Sequence, residues 1–104
     1  MRDYLDFYIG GEWVKPVEPR TLDVVNPADE SVAGRISMGG AEDVDRAVAA
    51  ARAAFPSYSE TSREQRLELL QNIAAEYQKR YADIAEAITE EMGAPSALAQ
   101  RAQA

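Results

Sequence analysis

Cysteine and histidine are both absent from the chain. Without cysteine there is no disulfide framework, no thiolate metal centre and no cysteine nucleophile. Without histidine the commonest general base and metal ligand is also missing. Positive charge is in short supply too: 11 basic residues stand against 18 acidic ones, a formal net charge of -7. That balance disfavours a nucleic-acid backbone or an anionic membrane surface as partner. No apolar run approaches the roughly 20 residues a membrane helix needs, and the opening "MRDYLDFYIG" carries acids where a signal peptide requires a basic start and an unbroken apolar stretch. A cytoplasmic, soluble protein is expected. The six glycines fit neither the P-loop nor the dinucleotide-binding spacing.

What is present suits a single α/β segment. With 46% hydrophobic residues in 104, the chain has the composition of a globular domain. "DFYIGGEWV" sets two short aromatic and β-branched runs about Gly10 and Gly11, the signature of a tight hairpin. After the proline-containing connector "VKPVEPR", the runs "TLDVV" and "SVAGRISM" flank "NPADE" and read as a second hairpin. Asn26 and Pro27 suit the start of a type I turn closed by Asp29, and Glu30 falls where a left-handed conformation is needed. The hairpins are expected over about 6–38.

Helices are expected over about 41–92. In "EDVDRAVAAARAAF" the residues Val44, Val48, Ala51 and Phe55 form a narrow, alanine-flanked stripe that ends before Pro56. Thr61 and Glu64 match a capping box, after which Leu67, Leu70, Ile73, Ala74, Tyr77 and Tyr81 make a longer stripe. Ile84, Ala85, Ile88 and Met92 continue helically to a stop at Gly93 and Pro95, with continuity across Arg80 to Asp83 left open. A further helix starts at Ser96, and the sequence stops soon after, which is unusual for a complete domain.

Glu42, Asp43, Glu64, Glu90 and Glu91 lie near helix ends, where capping and dipole effects account for acids on a solvated face. Trp13 and Tyr58 read as packing anchors or, alternatively, as ligand-stacking rings. No catalytic constellation emerges from these residues.

"YIGGEWV", "VVNPA", "EDVDRAVAAARAAF", "SREQRLELL" and "EEMGAP", in that order, resemble the N-terminal portion of the NAD(P)-dependent aldehyde dehydrogenase superfamily from about Tyr4 to Gln103. The resemblance implies an α/β fold in which two β-hairpins followed by helices form the N-terminal segment of the cofactor-binding domain. In that family a cysteine attacks the aldehyde, a hydride passes to NAD or NADP, and a glutamate helps water release the acid. None of those motifs lies in this stretch, so the chain alone is expected to bind no cofactor and to be inactive. Partners implied are the remainder of the fold and further copies in a homo-oligomer, with no nucleic acid and no membrane. The resemblance also implies a monovalent-cation site through the Val25 carbonyl and the Glu91 carboxylate, although Glu91 reads equally as a solvated helical acid. Asp29 and Glu30 depart from the family's frequent Thr-Gly, and Tyr58 from its frequent tryptophan. The rival expectation is a small non-catalytic helical interaction module derived from the same family.

Overall fold

The computed structural model describes residues 2–104. Five strands precede the helices: β1 (Arg2–Tyr4), β2 (Phe7–Ile9), β3 (Glu12–Val14), β4 (Thr21–Val25) and β5 (Val32–Ser37). They are followed by α1 (Ala41–Ser59), α2 (Arg63–Lys79), α3 (Tyr81–Met92), the short α4 (Ser96–Leu98) and a π-helical turn over Ala99–Gln103. The chain divides into two compact units, one of residues 1–24 and 32–60, the other of residues 25–31 and 61–104.

In the first unit β2 and β3 form an antiparallel ribbon with Tyr8 opposite Trp13. Gly10 and Gly11 both take positive φ, 64° and 85°, as a two-residue hairpin requires. The paired Tyr8 and Trp13 rings lie 5.1 Å apart. Trp13 nevertheless stays 68% exposed, so it anchors no core in this chain. The ribbon lies along the alanine face of α1, where a Cβ on Gly10 would meet the Ala50 methyl at 3.7 Å. The Val44, Val48 and Phe55 stripe of the same helix remains exposed.

β5 is the centre of a three-stranded sheet ordered β1-β5-β4. Its pairing with β1 is parallel, Arg2 opposite Gly34 and Tyr4 opposite Ile36, and was not indicated by the local pattern. A side chain at position 34 would overlap the Arg2 carbonyl, so glycine lets the two backbones meet. The Ser37 hydroxyl donates to the Leu5 carbonyl at 2.6 Å and fixes the end of β1.

The helix boundaries correct two expectations. α1 runs through Pro56 to Ser59 rather than stopping before the proline. Residues 51–60 are all exposed, so the carbonyl left without its amide partner faces water and the cost of the proline is reduced. The capping box of α2 is formed by Ser62 and Gln65, not Thr61 and Glu64: the Gln65 amide donates to Ser62 Oγ at 3.1 Å and the Ser62 amide to Gln65 Oε1 at 2.8 Å.

In the second unit α2 and α3 are separate helices divided at Arg80, which caps both. Tyr77 and Tyr81 meet edge to face across this break, at 6.2 Å. The Tyr81 hydroxyl donates to the Gln100 carbonyl, tying α3 to the π-helical turn. Ala85 and Ala99 are the buried apolar residues of this unit among those described. Small side chains let the two segments approach closely, and α2 buries no residue at all.

Candidate functional site

The turn from Asn26 to Ser31 and the end of α3 both lie in the second unit, and each adjoins one of the two residues implicated by resemblance, Val25 and Glu91. Asn26 Oδ1 accepts from the Ala28 amide at 2.9 Å, forming an Asx turn. The turn is wider than a type I turn closed at Asp29, because the Glu30 amide reaches the Asn26 carbonyl at 2.9 Å and the Asn26 amide reaches the Ser31 carbonyl at 2.8 Å. Glu30 is left-handed at φ 61°. Asp29 accepts from the Ser31 hydroxyl at 2.6 Å and from its amide at 3.0 Å, and these bonds hold its carboxyl below the ordinary value.

α3 ends as its Gly-x-Pro sequence predicts, with Gly93 left-handed at φ 72° and its amide donating to the Thr89 carbonyl at 3.0 Å. A Cβ on Gly93 would come within 2.8 Å of the Pro27 ring. The helix end therefore lies directly against the turn. Val25, the last residue of β4, and Glu91, near the end of α3, are both exposed. Val25 has a backbone carbonyl and Glu91 a carboxylate, hard oxygens of the type that hard cations accept. Among the described residues no cluster of three acidic, histidine or cysteine side chains forms a metal centre. The Thr89 hydroxyl, on the same helix, is buried with no hydrogen-bond partner.

The first unit holds one buried carboxylate. Asp43, expected as a cap on a solvated face, does cap the helix but is only 4% exposed. Its Oδ2 accepts from the Gly40 amide at 3.0 Å and its Oδ1 from the Val17 amide at 3.0 Å, so the connector after β3 is fastened to the start of α1. The Gly40 and Val17 amides, with a smaller contribution from Arg46, lower its pKa against the opposing effect of burial. An acid at the third helical position after a glycine signals such a cap; the bond to Val17 had no local signal. An open cleft of about 420 Å³ beside it is lined by Phe7, Ile9, Gly39, Val44 and Ala47. Asp43 is engaged in these backbone bonds and is a structural clamp rather than a poised base.

Comparison with known proteins assigns this geometry to a class. Residues 13–104 match the model of the aldehyde dehydrogenase family. The chain belongs to that family. Over 95 residues it is 54% identical to a 3-succinoylsemialdehyde-pyridine dehydrogenase from a Pseudomonas species, covering 91% of this chain and 20% of the relative. A putative aldehyde dehydrogenase of Staphylococcus aureus is 46% identical over 101 residues, 97% of this chain and 21% of its own. The crystal structure of aldehyde dehydrogenase from Bartonella henselae superposes with a TM-score of 0.96 at 40% identity, over 99% of this chain and 22% of that one. Aldehyde dehydrogenase C of Pseudomonas syringae, solved with NAD+ and octanal, gives 0.92 at 46% identity over 94% and 20%. The chain thus spans about a fifth of the length of the relatives it matches, and it corresponds to their N-terminal part.

No helix among the described residues is long and apolar enough to cross a membrane.

Proposed function

We propose that this chain builds the N-terminal, outer part of the cofactor-binding domain of an NAD(P)-dependent aldehyde dehydrogenase, and that it acts only as part of that larger fold. The larger protein oxidises an aldehyde to a carboxylic acid, while this segment contributes scaffold and no catalytic side chain. The observation that carries the reading is the 0.96 TM-score over nearly the whole chain and only 22% of the Bartonella protein. The missing cysteine and phosphate-binding glycine loop agree with a segment that leaves nucleophile and cofactor to other parts of the fold. The independent-module reading is less favoured because Ala85 and Ala99 are the only buried apolar side chains among the described residues, too little to support a domain.

In the same reading the Val25 carbonyl and the Glu91 carboxylate donate to a monovalent cation, whose remaining ligands come from other parts of the fold. The contact of Gly93 with Pro27 supports this by placing the two segments side by side. The assembly is cytoplasmic and homo-oligomeric, and the net charge of -7 argues against nucleic acid or an anionic membrane as partner.

A chimera tests the reading: this chain replaces the matching fifth of the Pseudomonas relative, and dehydrogenase activity is measured on that relative's own semialdehyde. Retention of kcat/KM within about tenfold of the parent is expected, since no group touching the reacting atoms is exchanged. An insoluble or inactive chimera beside an active parent overturns it.

A further inference from the structure

The residues from Ser96 to Ala104 read SALAQRAQA, without proline, glycine or a β-branched side chain, and alanine, leucine, glutamine and arginine all favour an α-helix. The chain nevertheless leaves the α register after Leu98 and winds as a π-helix over Ala99–Gln103. Such turns hold well under ~1% of residues in globular proteins, and nothing in the local sequence accounts for one here. The hydrogen bonds supply a cause. In an α-helix the Ala104 amide would donate to the carbonyl four residues back, that of Gln100. That carbonyl is taken instead by the Tyr81 hydroxyl of α3, and the Ala104 amide donates one residue further back, to Ala99 at 2.9 Å. Arg101 Nε also donates to the Ala97 carbonyl at 3.3 Å, the group that its own amide would take in the α register. Ala99 is fully buried where the turn packs on α3. Beside it, a cleft of about 180 Å³ lined by Ala82, Ala85, Thr89, Ser96 and Gln100 leaves the backbone room to move.

We propose that the Tyr81 hydroxyl selects between two registers of the segment 96–104, π while it holds the Gln100 carbonyl and α when it lets go. The two states exchange a single acceptor. In the α state the Ala104 amide takes the Gln100 carbonyl, and the Tyr81 hydroxyl, on a ring that is only partly buried, turns to water. Neither state strands a buried polar group, so one hydroxyl is enough to decide between them. A change of register turns whatever follows Ala104 by about 100°, one residue's share of a 3.6-residue turn. The device sets the direction in which the chain leaves the second unit, which is a conformational role beyond that of scaffold.

The chimera described above is crystallised with Tyr81 intact and as Tyr81→Phe, and the register is read from the acceptor of the Ala104 amide. The intact protein is expected to keep the bond to Ala99, and Tyr81→Phe to shift it by one residue to Gln100. Tyr77→Phe, which trims the other ring of the same edge-to-face pair, is expected to leave the bond on Ala99. Should Tyr81→Phe not fold, Tyr81→Leu removes the same hydroxyl and is read in the same way. A π register that survives loss of the hydroxyl overturns the inference, as does an α register in the intact chimera, and an active chimera leaves the functional reading standing in both cases. An inactive or insoluble chimera overturns the functional reading instead. The register is then read by nuclear magnetic resonance in the 104-residue chain itself, from the carbonyl that couples to the Ala104 amide across its hydrogen bond. A shift from Ala99 to Gln100 on Tyr81→Phe supports the inference there, and an unchanged acceptor overturns it.

Discussion

Gly93 and Pro27 are locked together: the glycine ends α3 in a left-handed conformation, and the proline ring occupies the space a side chain at 93 would need, 2.8 Å from its first atom. Two separate penalties therefore oppose any other residue at position 93. One is conformational and the other steric.

Gly93→Ala is expected to destabilise the chimera by about 1–2 kcal/mol through the left-handed backbone alone, with the overlap on Pro27 adding to that. The measurement is the urea midpoint. Combining Gly93→Ala with Pro27→Ala should recover the steric part and leave the conformational part. A double variant no better than the single one would show that the ring is not what excludes the side chain.

The Asp43 clamp has a pH signature. Its folded pKa is depressed by the Gly40 and Val17 amides, so its contribution to stability is present above the ordinary aspartate value, near 3.9, and is lost as pH falls through the depressed folded value. Amide resonances of Val17 and Gly40 should shift together on acid titration, with a midpoint below the ordinary one. In Asp43→Asn that titration should vanish, and exchange of the Val17 amide with solvent should quicken at neutral pH. A midpoint at or above the ordinary value would contradict the clamp.

The chain by itself should generate no NADH or NADPH from any aldehyde, because the nucleophile of the family's reaction is a cysteine and this sequence has none. Absorbance at the reduced-nicotinamide band against a buffer blank decides the point.

Far-ultraviolet circular dichroism of the isolated chain should show strong helix, given well-capped α1 and α2, while the near-ultraviolet signal of Trp13 stays weak because that ring is 68% exposed. Binding of a hydrophobic dye is expected alongside. A sharp cooperative melt with dispersed amide resonances would mean that the segment folds without the rest of the family fold.

For the proposed cation site, Glu91→Ala in the chimera should reduce the difference in thermal midpoint between potassium chloride and a bulky organic-cation chloride at matched ionic strength. Matching ionic strength removes general screening. An unchanged difference would assign Glu91 to the solvated face of α3.

Features carried by one or two residues were readable from sequence: the Gly10–Gly11 turn, the left-handed Glu30 and the stop at Gly93 each follow from local backbone sterics. Features that depend on residues far apart were not. Arg2–Tyr4 is too short to announce a strand, and its partner lies beyond three intervening strands. The passage of α1 through Pro56 depends on solvent reaching a carbonyl, and the choice of Ser62 over Thr61 as cap is a one-residue difference between equally suitable side chains. Val25 and Glu91 were nominated by resemblance, and only the contact of Pro27 with Gly93 shows their segments to be neighbours.

The parallel pairing of Arg2–Tyr4 with Gly34–Ile36 also orders events in time. A growing chain releases its first residues long before their partners exist, and β5 becomes available only after both turns have been made. Joining β1 to β5 then closes a loop of about thirty residues at an entropic cost on the order of 3 kcal/mol, against three residue pairs of gain. The β4–β5 hairpin, with its short connection, is expected to form first and to present an edge that captures the leading residues last. Slowing that capture, as Gly34→Ala would by obstructing the Arg2 carbonyl, should leave the first strand accessible to protease during synthesis while the hairpins behind it are already protected.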